Sequence, residues 1–367
     1  MASSSRPHKK SRSDTGKQPE SVPQSRLDVW FSEEKHKKDY SSIFGNKEII
    51  EPKFIKVQWF KDEGFQFPAL LEYQGTVKLM ELSGDYYPEL VKAFYTTLRA
   101  TLQGHLIAEV KGKKITVDNA VWDKVAGLNC DGLRGFEDNP EGYTRINTYR
   151  GMLLNPTAPI RNRLGVGGLT AEDRVILYLI TYVLTPRARN HAQATDDDLQ
   201  LVYGLKTCQR MNWPLVIAET MMKSKRLVEA ELPYAVLISK ILEHFEVPVK
   251  GEVTHRTSAN RNSYITKKHL EKLGMKKVGD QWSMASEGPA LDADEMEDAM
   301  AQAEQQEESR WSPFETLMIQ KMDALLRLQQ DHSAEVYNRL DSMESRLNNI
   351  ETRLALSELD ETHPNED

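Results

Sequence analysis

The sequence predicts a mainly α protein: a helical body with one small β-hairpin, followed by a C-terminal parallel coiled coil. Three observations predict it. A heptad seam runs from Ile319 to Leu354. Capped amphipathic segments recur between Pro88 and Phe245. An alternating stretch broken by Gly112 lies between Leu106 and Val117.

Taken in order, residues 1–26 hold Met1 and Val22 as their only large apolar residues, with six Lys/Arg against two acids. So little apolar surface cannot offset the entropy of ordering, and a disordered basic tail is expected. Its Lys9-Lys10-Ser11-Arg12 cluster fits a nuclear import signal or a merely solubilising tail. The body is expected over 27–284, with Val29-Trp30-Phe31 and Phe54–Phe60 as aromatic anchors. Leu90, Val91, Phe94, Tyr95 and Leu98 share one face of a helix expected over 88–102, with Pro88 in its first turn. Leu106–Val110 and Lys114–Val117 form the hairpin, and Asp118 caps a helix that Gly127 ends.

Residues 128–170 are rich in Gly, Asn and Arg and predict irregular chain with a short helix near Tyr143–Leu154. Four helices follow. Thr170 with Asp173 starts the first, over 171–184, and Thr195 with three aspartates starts the second, over 196–210. Pro214 and Pro233 open the third and fourth, which run to Arg226 and Phe245. A polar loop, a short helix over 265–273 and a strand ending at Trp282 close the body. Residues 285–312, with nine acids against one base, predict a solvated linker. The coil occupies 313–358 and a disordered acidic tail 359–367.

In the coil, Ile319, Leu326, Leu340, Leu347 and Leu354 fall at a, and Met322, Val336, Met343 and Ile350 at d. Ser333 and Gln329 form one polar layer that fixes register at a cost in stability. Arg339, Arg346 and Arg353 at g precede Glu344, Glu351 and Glu358 at e by five residues, the spacing that pairs opposite charges between parallel helices. The expected partner is therefore the chain itself; Leu at a with Ile, Val or Met at d is not the dimer-favouring choice, which leaves trimer or tetramer open.

Composition narrows the function. The chain has 367 residues and a net charge of −7; the acidity sits in the tail, so the body is mildly basic. Two cysteines, Cys130 and Cys208, allow neither a disulfide framework nor a Cys-based zinc site. No apolar run reaches membrane-spanning length, and a soluble intracellular protein of nucleus or cytoplasm is expected. Asp14-Thr15-Gly16 matches the aspartic-protease tripeptide but lacks flanking apolar strands. His191 with Asp196, Asp197 and Asp198 supplies metal-ligand types, yet acids in a helix's first turn need no metal. Gly165-Val166-Gly167-Gly168 lacks the spacing of a dinucleotide loop, and no nucleophile motif occurs. A non-enzyme without cofactor is expected. From Lys250 to Lys277 the chain carries eight bases against two acids: Lys250, Arg256, Arg261, Lys267, Lys268, Lys272, Lys276 and Lys277. The last five are expected along one edge of a short helix, either contacting phosphates of a nucleic acid or forming an ordinary solvated face.

The runs YPELVKAFYTTL (Tyr87–Leu98), EVKGKKITVD (Glu109–Asp118), LTPRARNHAQATDDDLQLVYGL (Leu184–Leu205) and LPYAVLISKILEHFEV (Leu232–Val247) resemble the plant transposon protein domain over about residues 50–250. The resemblance implies a plant origin and mobile-element ancestry, and brings no catalytic residues. A non-enzymatic, oligomeric, Gag-like interaction protein suits a coil joined to a basic patch; a nucleic-acid-binding factor acting through 250–277 is the alternative. The zinc knuckle of Gag proteins is missing, which leaves nucleic-acid binding resting on lysines.

Overall fold

The computed structural model describes residues 22–101, 104–160, 163–257, 263–279 and 281–284. The coiled-coil positions Ile319–Leu354, the acidic linker, Asp14-Thr15-Gly16, the Lys9–Arg12 cluster and Arg261 lie outside the described residues.

Thirteen α-helices are described: α1 (Gln24–Trp30), α2 (Glu34–Ser42), α3 (Val57–Asp62), α4 (Phe67–Gln74), α5 (Val77–Met80), α6 (Pro88–Thr97), α7 (Asn119–Ala126), α8 (Arg145–Met152), α9 (Ala171–Leu179), α10 (Asp196–Lys206), α11 (Trp213–Arg226), α12 (Ala235–His244) and α13 (Lys267–Lys272). Three small antiparallel sheets accompany them. β1 (Asp85–Tyr86) pairs with β5 (His255–Arg256). β2 (Arg99–Ala100), β3 (Leu106–Val110) and β4 (Lys113–Val117) form the second, and β6 (Met275–Val278) and β7 (Gln281–Met284) the third.

The core forms around α6, which packs on α2, α11, α12 and β3. Leu90, Val91, Phe94 and Tyr95 are fully buried, as the spacing predicts. Burial of each such side chain contributes about 1.5–3 kcal/mol. The helix stops at Thr97, short of the expected end. The Thr97 hydroxyl donates to Glu109 O and accepts from Glu109 N, both at 3.0 Å. That latch turns Arg99 and Ala100 into a third strand opposite Ile107 and Leu106. The hairpin itself is as expected: Lys111 and Gly112 both take left-handed φ, 52° and 71°, which suits the twist of a two-residue turn.

Local capping follows the sequence closely. Asp118 accepts from Val121 N at 3.0 Å, and Gly127 ends α7 at φ 68°. Thr170 accepts from Asp173 N, and Thr195 with Asp198 completes a reciprocal capping box. The expected 171–184 helix divides into α9 and a π-helical turn, Ile180–Leu184. α10 ends at Lys206, four residues early, because the chain reverses at Cys208 (φ 53°) and lays Met211 against Gly204. A Cβ on Gly204 would sit 2.7 Å from Met211 Sδ, so any larger residue there would require the Met211 side chain to shift. Tyr234 takes φ 61°, delaying α12 to Ala235, and its hydroxyl donates to Leu184 O.

One other expectation is corrected. Val29 is exposed while Trp30 and Phe31 are buried. α1 begins at Gln24, ahead of Leu27, where Arg26 pairs with Glu252 and lies over Trp30.

Lys225, on α11, donates to Thr96 O and Leu98 O at the C-terminal end of α6. Burial, with Arg99 nearby, pushes its pKa down to about 8. The unfolded lysine keeps its proton to a higher pH, so the unfolded state binds more protons in the window above 8. The sign follows: this residue adds stability as pH rises from 8 towards 10. Urea midpoints of the wild type and Lys225→Met at pH 7, 8.5 and 10 check it. The difference between them should move in favour of the wild type with rising pH, and a flat difference refutes the assignment.

Candidate nucleic-acid interface

α13 is anchored by Leu270, which is fully buried, and opened by Thr266, whose capping partner is His269. At about 100° per residue, burying one position leaves the opposite sector outward. Lys267, Lys268 and Lys272 are accordingly exposed. Lys276 and Lys277 are not on this helix. They belong to β6, which pairs with β7 as a hairpin where one strand was expected, Gly279 turning at φ 62°. Met275 and Met284 face the core at its base, leaving Lys276 and Lys277 exposed.

Carboxylates from elsewhere in the chain occupy part of this basic set. Glu63 accepts from Lys277 Nζ at 2.8 Å and from Trp282 Nε1 at 2.9 Å. The Lys277 ammonium holds the Glu63 carboxyl below its usual range. Arg256 binds Asp85 through both carboxylate oxygens, at 2.5 and 2.9 Å, across the β1–β5 ribbon. Lys267 lies 4.0 Å from Glu271 on its own helix. Exposed pairs of this kind contribute little to stability, but they lower the charge offered to a ligand. Lys250, Lys268, Lys272 and Lys276 make no ion pair among the described residues.

The tertiary structure also adds what the linear segment lacked. Ser263–Ile265 runs beside Phe54, with Phe54 N donating to Ser263 O and Ile265 N to Phe54 O. Tyr264 therefore stacks on Phe54, ring centroids 5.2 Å apart and planes 20° apart, both part-exposed. Lys56 Nζ lies 5.9 Å from the Tyr264 centroid, within cation–π range. Lys53 lies 5.3 Å from the Tyr182 ring, and the charge of Lys272 reaches it. Lysines interleaved with rings are what a single-stranded nucleic acid requires. No local signal marks this assembly, because Phe54 and Tyr264 come from opposite ends of the body.

The metal-ligand types do not converge. Arg187 grips both carboxylate oxygens of Asp198 at 2.9 Å, Asp196 accepts from the Tyr143 hydroxyl at 2.6 Å, and Asp197 lies 3.7 Å from Lys223. His191 instead stacks on Tyr182 at 3.9 Å. Among the described residues no group of three His, Cys, Asp or Glu is placed to hold a metal. The glycine loop is tied down by Tyr149, whose hydroxyl donates to Gly165 O, and by Val166 N to Ala192 O. A cavity of about 40 Å³ lined by Glu51, Lys53, Tyr182 and Tyr234 has room for one or two waters. No described helix is long and apolar enough to cross a membrane.

Residues 73–248 match the family model described as "Putative plant retrotransposon-related domain". The match runs from the end of α4 to just past α12, so α13 and the β6–β7 hairpin lie beyond it. No curated protein and no solved structure matches the chain.

Proposed function

We propose that this chain, whose residues 73–248 match the plant retrotransposon-related domain, is a transposon-derived, non-catalytic, self-associating, Gag-like interaction protein. The observation that carries this reading is the seam from Ile319 to Leu354, with its arginines at g and glutamates at e. A parallel coil gathers several copies of the body, so contacts that are individually weak act together and gain avidity without new chemistry. Self-association is the first activity, and the body supplies what is multiplied. The second reading, nucleic-acid binding, is favoured by the Phe54–Tyr264 stack under Lys56 and by Lys268 and Lys272 of α13, which make no ion pair among the described residues. The two are compatible, since a coat protein needs both.

Light-scattering mass of the full chain tests the first reading. The wild type should give a small whole-number multiple of 42.0 kDa, and the double substitution Leu340→Asp, Leu347→Asp should give the single-chain mass. Two buried carboxylates per helix cannot be accommodated in an apolar seam. If the substituted chain keeps the wild-type mass, the coil is not the source of assembly. Anisotropy with a single-stranded RNA over a salt series tests the second reading, which predicts affinity falling steeply with salt.

A further inference from the structure

α9 and the π turn that follows it are buried along almost their whole length, with Arg174, Tyr178 and Tyr182 as part-exposed positions spaced four residues apart. Such spacing places side chains on one face of a helix. Glu172, the other part-exposed position on α9, is already committed: its carboxylate accepts from Gln66 N and Phe67 N at the start of α4. The strip is thus a basic and aromatic line on an otherwise apolar element.

Its rings form a ladder. Tyr178 stacks on Tyr182 at 4.2 Å, and Tyr182 on His191 at 3.9 Å with planes 10° apart. The loop that carries His191 is clamped by Arg187, which binds Asp198 and Gln193 O. Burial and the nearby Arg187 push the His191 pKa down, so it enters the ladder as a neutral ring. The wide turn is set by Thr185 N donating to Ile180 O at 2.7 Å. Turns of this type cluster at functional sites.

Arg174 is the telling member. Its Nε is buried without a hydrogen-bond partner, and it makes no ion pair among the described residues. A guanidinium left so is costly unless an anion completes it. Lys53 brings a second cation to the same line, 5.3 Å from Tyr182, with Glu51 as the nearby acid and Lys272 of α13 as the link to the basic segment.

We infer that the strip of Arg174, Tyr178 and Tyr182, with His191 and Lys53, is a binding track for single-stranded nucleic acid. The two cations take phosphates, and unpaired bases pack against the end rings of the ladder, Tyr178 and His191, since Tyr182 is stacked on both faces. The inference rests on the nucleic-acid reading above and specifies its location. Duplexes hide their base faces and are poor ligands for such a track, and a purely acidic polymer such as polyglutamate offers charge but no rings.

The test uses the full chain and a 4-thiouridine-substituted single-stranded RNA of about 20 nucleotides, long enough to span a single-strand site of 4–16. Ultraviolet crosslinks on the unaltered protein should map to peptides containing Tyr178, Tyr182 or His191. In anisotropy, Arg174→Gln with Lys53→Gln should weaken binding about tenfold or more and flatten the log–log salt slope by about 1.4, the value for two single-strand phosphate contacts. If RNA binds but crosslinks fall only outside residues 174–191, and the substitutions change neither affinity nor slope, the track is refuted while nucleic-acid binding stands. If no single strand binds at low salt, both fall. If polyglutamate displaces the RNA at equal charge concentration, the strip is a general anion site and the assignment to nucleic acid is overturned.

Discussion

Trp213→Ala is expected to cost about 3–5 kcal/mol, the range for emptying a fully buried aromatic position. Trp213 opens α11 and is 1% exposed. Its indole N–H donates to Gln74 Oε1 at 3.2 Å, and the same oxygen accepts from Met211 N at 3.1 Å. Gln74 Nε2 donates onward to Gln209 O, so one buried amide joins the end of α4 to the turn between α10 and α11. Removing the indole leaves a cavity and takes one bond from that amide. Trp213→Phe keeps most of the volume and loses the hydrogen bond, so it should lose less than the alanine. Urea unfolding monitored by far-ultraviolet dichroism measures both. An alanine variant within about 1 kcal/mol of the wild type would mean that the site is not packed as described.

Asp198→Asn should be the second most damaging change, at about 3 kcal/mol, because it strips one partner from a buried ion pair while preserving shape. The Asp198 side chain is 3% exposed and Arg187 24%. Its two oxygens receive both terminal nitrogens of Arg187 and the Thr195 backbone N–H at 2.8 Å. An asparagine has one acceptor oxygen and must turn its amide towards a donor it cannot satisfy. For a body of this size the loss corresponds to a fall in Tm of roughly 6–12 °C. Thr195→Ala, which removes only the cap, should cost about 1 kcal/mol. Equal melting of Asp198→Asn and the wild type would show that the Arg187 clamp contributes nothing. The pair also holds the loop of His191, so if the proposed track is correct, loosening it weakens single-strand binding in parallel.

Elements governed by contacts within a few residues are legible in the sequence itself. The Lys111-Gly112 turn, the Asp118, Thr170 and Thr195 caps and the α6 face all depend on hydrogen bonds and spacings that span one helical turn or one hairpin. The basic character of 250–277 was equally plain, since charge is a property of residue type. The seam Ile319–Leu354 belongs to the same class of local pattern and lies outside the described residues.

What could not be read locally was where elements end and which charges are spent. α6 stops at Thr97 because a hydroxyl meets Glu109, and α10 stops at Lys206 because Met211 folds back on Gly204. Arg256 and Lys277 lose their freedom to Asp85 and Glu63, while Phe54 and Lys56 arrive beside Tyr264 to make an aromatic and basic surface. Each of these depends on two segments distant in the chain being brought within a few ångströms. Propensity, capping and periodicity act over one turn and carry no information about such meetings. The residue types of the site were therefore visible in the sequence, and the question of which of them stand together was answered only by the packing of the folded body.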